Sequence, residues 1–217
     1  MNKKENPVVI YGGSGHGKVI ADIVEKSGKK VLAWVDDNET LWDKSFLGYP
    51  VWRGRSHLFE YAKKENFSVI IGIGDNHRRW EIVKAVTSAG IYFDTAIHPS
   101  AQLGNDVNIG EGTVIMANSV INPGARVGRH CIVNTAVTID HDCIIGDFVH
   151  LSPGAHLGGS VRVDHSGWIG LGASIINNIY VGEHTIIGAG SVVIANVDAY
   201  TVVAGNPAAF LRKNMIK

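Results

Sequence analysis

The sequence predicts two folds in succession, an α/β domain over residues 1–95 and then an all-β parallel β-helix over residues 96–217. Three observations carry the prediction. The first half alternates strand-like and helix-like segments, with a glycine-rich turn after the first strand. From Ile97 onward every sixth residue is aliphatic, without insertion, through Val193. A period of two would mean ordinary strands and 3.6 a helix; a period of six is the mark of a β-helix coil.

In the first half, "PVVIYGG" is a β-branched strand and "GHGKVIADIVEKSG" an amphipathic helix closed by Gly28. "KVLAWVDD" is a second strand that ends in Asp36 and Asp37, and "HLFEYAKKENF" reads as a helix. "SVIIGIG" is a buried strand, followed by the helix "NHRRWEIVKAVTSAG" ending at Gly90. This order predicts a small parallel sheet with ligand loops at the strand C-termini.

In the second half all 17 positions of the six-step series are Ile, Leu or Val. The next residue is Gly, Asn or Asp in 12 of the 17 cases, types that tolerate a left-handed corner. The fifth place of each hexad is mostly small, as at Ala101, Thr113, Ser119, Ala125, Ala155, Ala173 and Ser191. Cys131 and Cys143 occupy fifth places too and read as buried core thiols. Three hexads make one triangular coil, so residues eighteen apart share a corner on adjacent coils, about 4.8 Å apart. The segment "AYTVVAGNPAAFLRK" leaves the register after Val193 and is expected to finish the column.

Composition narrows the partners. Twenty basic and twenty acidic residues give a formal net charge of zero, which offers no bulk attraction to nucleic acid or anionic membrane. No apolar run approaches the ~20 residues needed to span a bilayer, and no signal-peptide pattern is present. Two cysteines provide no disulfide framework and suit a reducing compartment, so a cytoplasmic location is expected.

The stretch "NTAVTIDHDCIIGDF" sets His141 between Asp140 and Asp142. Coil geometry stacks His141 between Pro123 and Gly159, with an open notch expected where the glycine lacks a Cβ. An imidazole base beside a free N–H donor is what acyl transfer requires, because one removes a proton while the other steadies the oxyanion. A flanking acid on the other ring nitrogen fixes the tautomer. A solvated corner histidine would look the same by geometry alone.

The chain as a whole resembles the hexapeptide-repeat sugar acyltransferases of the sialic-acid O-acyltransferase type, and within them the UDP-4-amino-sugar (bacillosamine-pathway) N-acetyltransferases. The resemblance rests on "VVIYGGSGHGKVIADI", "WVDD", "IGIGDN", "NTAVTIDHDCIIGDFVHLSPGAHLGG" and "VVAGNPA". It implies a Rossmann-like first domain, a left-handed β-helix, a homotrimer, and acetyl transfer from acetyl-CoA to the amino group of a UDP-linked sugar. O-Acetylation of sialic acid or another sugar, or N-acylation of a GDP- or dTDP-linked amino sugar, is the alternative. The resemblance makes His141 the general base and Asp142 the acid that raises its basicity, where relatives carry Glu. His150 contacts the thioester region of acetyl-CoA and the Gly159 amide serves the oxyanion. Leu171 and Ala189 line the CoA arm, with Ala189 replacing a relative's glycine, and Gly205 and Pro207 belong to a C-terminal CoA element in which Ala209 replaces the usual Lys. By the same resemblance Ser14, Gly15 and His16 are expected to hold the nucleotide sugar, Asp36 and Asp37 to contact its uridine or ribose, and Gly74 to wall the same pocket.

Four rival functions fit less well. "YGGSGHG" with a later acid outlines an NAD fingerprint, but the domain is too short for two mononucleotide halves. A zinc β-helix of the γ-carbonic-anhydrase kind needs a different histidine spacing, since His141, His150, His156 and His165 are nine, six and nine apart; no metal is expected. A nucleotidyltransferase needs a larger first domain with an Arg-rich loop. A non-catalytic sugar-sensing scaffold is disfavoured by the intact His141, Asp142 and Gly159 set.

Overall fold

The computed structural model describes residues 6–215, so the first five and last two residues of the expected domain limits lie outside it. The chain divides into two compact units, up to Pro99 and from Ser100 onward. The first unit contains β1 (Val8–Tyr11), α1 (Gly15–Lys26), β2 (Val31–Asp36), β3 (Ser45–Phe46), β4 (Tyr49–Arg53), α2 (Gly54–Tyr61), β5 (Ser68–Ile71) and α3 (Asn76–Ser88). The sheet order is β3-β4-β2-β1-β5, parallel throughout except for the β3–β4 hairpin. Val8, Val9, Ile10, Val69 and Ile70 are fully buried, as expected of parallel strands covered on both faces. The chain moves from β1 toward β2 on one side and returns to β5 on the other, so the sheet switches direction between β1 and β5. Ligands in open α/β sheets bind at the C-terminal ends of strands flanking such a point.

Two parts of this unit differ from expectation. The β3–β4 hairpin was not foreseen, and α2 covers Gly54–Tyr61, starting and ending earlier than the helix read over residues 57–67. Trp34 explains the hairpin's place: its indole N–H donates to Phe46 O at 2.8 Å and its ring meets Phe46 edge-on.

In the second unit two-residue strands recur every six residues and build three flat faces. Thr138–Ile139 stacks on His156–Leu157 in the first face, Ile144–Ile145 on Arg162–Val163 in the second, and His150–Leu151 on Trp168–Ile169 in the third. Every one of these pairings is parallel and eighteen residues apart. The aliphatic member points inward: Ile139, Leu151, Val163 and Ile169 are wholly buried, as are the small residues Ala125, Ala155 and Ala173. Cys131 and Cys143 are buried free thiols, and burial pushes the Cys143 thiol up to about 11. Thr201–Gly205 pairs in parallel with Ile186–Ile187 and then turns back on Ala208–Lys213, ending the column in an antiparallel hairpin.

The corners correct one sequence reading. Left-handed backbone falls three residues after each aliphatic position, at Asp106, Asn118, His130, Ala136, Asp142, Phe148, Ser160 and their repeats, not one residue after it. Where the residue immediately after is glycine, it serves a different purpose. A Cβ on Gly110 would lie 2.6 Å from Arg129 N, and on Gly170 2.6 Å from Ala189 N. Those glycines make room for the backbone of the next coil.

Candidate active site

His141 lies at the corner between the first and second faces. The ladder runs from the Asp142 N–H to Pro123 O at 3.2 Å and from the Ser160 N–H to His141 O at 2.9 Å, so Pro123, His141 and Gly159 form one column. Gly159 faces the imidazole directly, since a Cβ there would sit 2.6 Å from Nε2 and 2.7 Å from Cε1. The notch expected beside the ring is therefore filled by the ring itself, and Gly159 is buried under it. Gly159 has no positive φ, so its backbone would accept a side chain and only the imidazole excludes one.

The acids around His141 divide their work. Asp142 Oδ2 is 2.8 Å from Nδ1, and because a carboxylate can only accept, Nδ1 carries the proton and Nε2 presents its lone pair. Asp140 accepts the His141 amide at 2.7 Å and the Asn122 side-chain amide at 2.8 Å. Those two donors hold Asp140 below the usual carboxylate range. The hydrogen bond that His141 donates to Asp142, and then the charge of Asp140, raise the pKa of His141.

Other residues distribute around the column. Leu171 and Ala189 share the corner between the third and first faces, joined by the Gly190 N–H to Leu171 O bond at 2.8 Å, and both are exposed. Across the first face between that corner and His141 stand the outward side chains of Thr138 and His156, with Thr138 Oγ1 2.8 Å from His156 Nδ1. The sequence reading gave this pair no role, although the eighteen-residue register marks it. His150 is on the third face, half a coil from His141, stacked on Trp168 with ring centroids 5.1 Å apart and planes at 12°. The Trp168 indole N–H donates to Ser152 Oγ at 3.0 Å. The column therefore brings His141, Asp142 and Gly159 together and sets His150 apart from them. Gly205 and Pro207 lie at the turn of the terminal hairpin, exposed, where the Gly205 N–H donates to Ser191 Oγ at 3.1 Å.

In the first unit a cleft of about 380 Å³ opens at the ends of β1, β2 and β5, lined by Tyr11, Gly12, Asp36, Asp37, Asn38, Ile73, Arg78 and Ile82. Ser14 caps α1 with Gly15 and His16 in its first turn; Ser14 and Gly15 are exposed at a helix N-terminus, which favours phosphate. Gly17 is required by packing, because a Cβ there would lie 2.1 Å from Gly12 O. Asp36 accepts the amides of Gly13 at 2.7 Å and Asn38 at 2.8 Å, tying the glycine turn to β2. Asp37 accepts from the Tyr11 hydroxyl at 2.7 Å and from Arg78 at 3.1 Å. Burial, and next the bond to Asp37, push the Tyr11 hydroxyl up, so it stays protonated as a donor. Both acids expected to touch the nucleotide thus also organise the cleft, and Arg78 joins them unforeseen. Among the described residues no three His, Cys, Asp or Glu side chains are grouped to hold a metal ion, and no helix is long and apolar enough to cross a membrane.

Residues 7–86 match the PglD N-terminal domain family and residues 106–141 the bacterial transferase hexapeptide family of six repeats. The UDP-N-acetylbacillosamine N-acetyltransferase of Bacillus subtilis is 38% identical over 113 residues, about half of each chain (51%). The GDP-perosamine N-acetyltransferase of Escherichia coli O157:H7 is 29% identical over 94% of this chain and 96% of its own. The crystal structure of PerB from Caulobacter crescentus, in complex with CoA and GDP-perosamine, is 35% identical, covers 94% of this chain and 97% of its own, and superposes with a TM-score of 0.89. The acetyltransferase domain of PglB from Neisseria gonorrhoeae, solved with acetyl coenzyme A, is also 35% identical, covering 95% of this chain and 100% of its own with a TM-score of 0.88. The fold is thus a Rossmann-like α/β domain followed by a left-handed parallel β-helix. The chain belongs to the hexapeptide-repeat sugar acyltransferases, which move an acyl group from coenzyme A to a sugar, and it is an enzyme of that class.

Proposed function

We propose that the protein transfers an acetyl group from acetyl-CoA to the amino group of a nucleotide-linked amino sugar, with His141 as general base. The observation that carries this reading is the imidazole itself: Nδ1 tied to Asp142, Nε2 set against Gly159 of the next coil. Nε2 takes the proton as the amine nitrogen bonds to the thioester carbonyl carbon. The Gly159 amide is assigned to the oxyanion, and the C–S bond then breaks to release CoA. Leu171 and Ala189 form the CoA column, Gly205 and Pro207 its distal end. The first unit holds the nucleotide through Ser14, Gly15, His16, Asp36, Asp37 and Gly74. The expected UDP carrier is matched by the Bacillus relative over half its length, whereas two relatives aligned over nearly the whole chain, those of Escherichia coli and Caulobacter, act on GDP-perosamine or bind it. GDP is therefore the carrier to try first.

A site that uses both His141 and His150 needs two chains, because one column holds them on different edges. We assign a homotrimer, with the CoA groove between neighbouring columns, and a cytoplasmic location. The test is thiol release from acetyl-CoA with a panel of GDP-, UDP- and dTDP-linked 4-amino sugars. His141→Ala is expected to lower kcat/KM by about 10²–10⁴ fold, the range for a general base, with the fold intact. Near-wild-type turnover in that variant would remove His141 from the mechanism.

A further inference from the structure

Arg79 is buried to 1% exposure, yet nothing in the proposed chemistry uses it. Its guanidinium Nη1 donates to Ile73 O and Gly74 O, each at 3.0 Å, and Nη2 donates to Asn76 Oδ1 at 2.7 Å. Asn76 is the first residue of α3 and is itself buried. One planar fork thus pins two consecutive carbonyls of the β5–α3 turn to the start of the following helix, a task matched to the rigid geometry of arginine rather than the point charge of lysine. The turn it pins stands at the switch point of the sheet. Ile73 lines the cleft, and its side chain presses so closely on the glycine turn that a Cβ on Gly12 would lie 2.8 Å from Ile73 Cδ1. The Ser14 hydroxyl donates to Gly72 O at 3.3 Å and the Gly72 amide to Tyr11 O at 2.7 Å, closing the same wall from the other side.

We infer that Arg79 is a positioning residue for the nucleotide half of the substrate: it holds the Ile73–Gly74 wall of the cleft in the conformation that receives the nucleoside diphosphate. The inference rests on the reading that this cleft, and no other, binds the nucleotide sugar. Acetyl-CoA, placed on the β-helix column, should not sense the change.

The experiment compares Arg79→Lys, which keeps the charge and loses the fork, with Asn76→Ala, which removes the side-chain acceptor of Nη2. Steady-state kinetics are run against nucleotide sugar and acetyl-CoA separately, with direct binding of free GDP and UDP by calorimetry. Arg79→Lys is expected to raise KM for the nucleotide sugar and Kd for the nucleotide about tenfold or more, the loss of a hydrogen bond from a charged donor. Asn76→Ala moves both in the same direction by less. KM for acetyl-CoA and kcat at saturation stay within about twofold in both variants. Unchanged nucleotide affinity in both folded variants overturns the inference, as does an equal rise in both KM values. Should Arg79→Lys not fold, Asn76→Ala decides by the same criteria. If wild-type protein binds neither nucleotide and Gly13→Val, in the glycine turn bonded to the cleft's Asp36, leaves nucleotide-sugar KM unchanged, the cleft assignment fails, and this inference with it. If wild-type binds and only the Arg79 and Asn76 variants are silent, the inference fails alone.

Discussion

The environment of His141 is a compromise between orientation and basicity. Asp142 fixes the ring through Nδ1, and together with Asp140 it raises the pKa, so a larger fraction of His141 is protonated near neutral pH. Only the neutral ring accepts a proton, so the acid limb of kcat/KM lies higher in pH than an ordinary histidine would give. Asp142→Asn removes the largest cause of the shift and is expected to move that limb to lower pH while reducing the plateau, as measured in a kcat/KM pH profile. A limb that stays in place belongs to the substrate amine and not to His141. Gly159 yields a second prediction. A methyl group there would overlap Nε2, on backbone that tolerates alanine, so Gly159→Ala should cost about 10² in kcat/KM by displacing the base, with thermal unfolding little changed. Full activity in Gly159→Ala would show that the ring does not work in the position described.

Among the elements, the coil corner has two kinds of small position with opposite demands. Where glycine follows the aliphatic, as at Gly110 and Gly170, the next coil's backbone fills the space a Cβ would take; the third residue after the aliphatic must accept positive φ. Gly110→Ala drives a Cβ to 2.6 Å from Arg129 N and is expected to destabilise by about 1–3 kcal/mol, as overpacking against immobile backbone does. Ala136, at φ 56°, carries the left-handed penalty. Ala136→Gly relieves about 1–2 kcal/mol of it against about 0.5–1 kcal/mol of glycine entropy, for a net gain of up to about 1.5 kcal/mol in thermal unfolding. The reverse ordering of the two variants would reject this account of the corners. The sequence could display the column because each inward aliphatic residue repeats an unbroken signal, and it could place His141 against Gly159 because register follows from counting. It could not separate the two corner positions, since glycine, asparagine and aspartate serve both a crowded backbone and a left-handed one. Ser45–Phe46 is too short to show a strand period, which is why the hairpin was missed. In "NHRRWEI" nothing in the letters says that Arg79 turns inward and Arg78 toward the cleft.

The whole molecule must reconcile a base at one edge with His150 on another face. Within a single column the outward side chain of His150 leads away from His141, and the intervening core of Ile139, Leu151 and Leu157 is packed solid, so no rotamer change can bring the two rings together. The proposed cyclic trimer would resolve the conflict if each heterologous interface set one chain's corner against its neighbour's face. Light scattering should then report particles of three chains. The stronger test is complementation. His141→Ala and His150→Ala homotrimers are each expected to be impaired, and dissociating and reassembling an equal mixture allows a corner with intact His141 to meet a face with intact His150. Random assortment sets an intact His141 against an intact His150 at about one interface in four, so about a quarter of wild-type activity should return. If both histidines served a site within one chain, every chain in the mixture would still lack one of them, and reassembly would restore nothing.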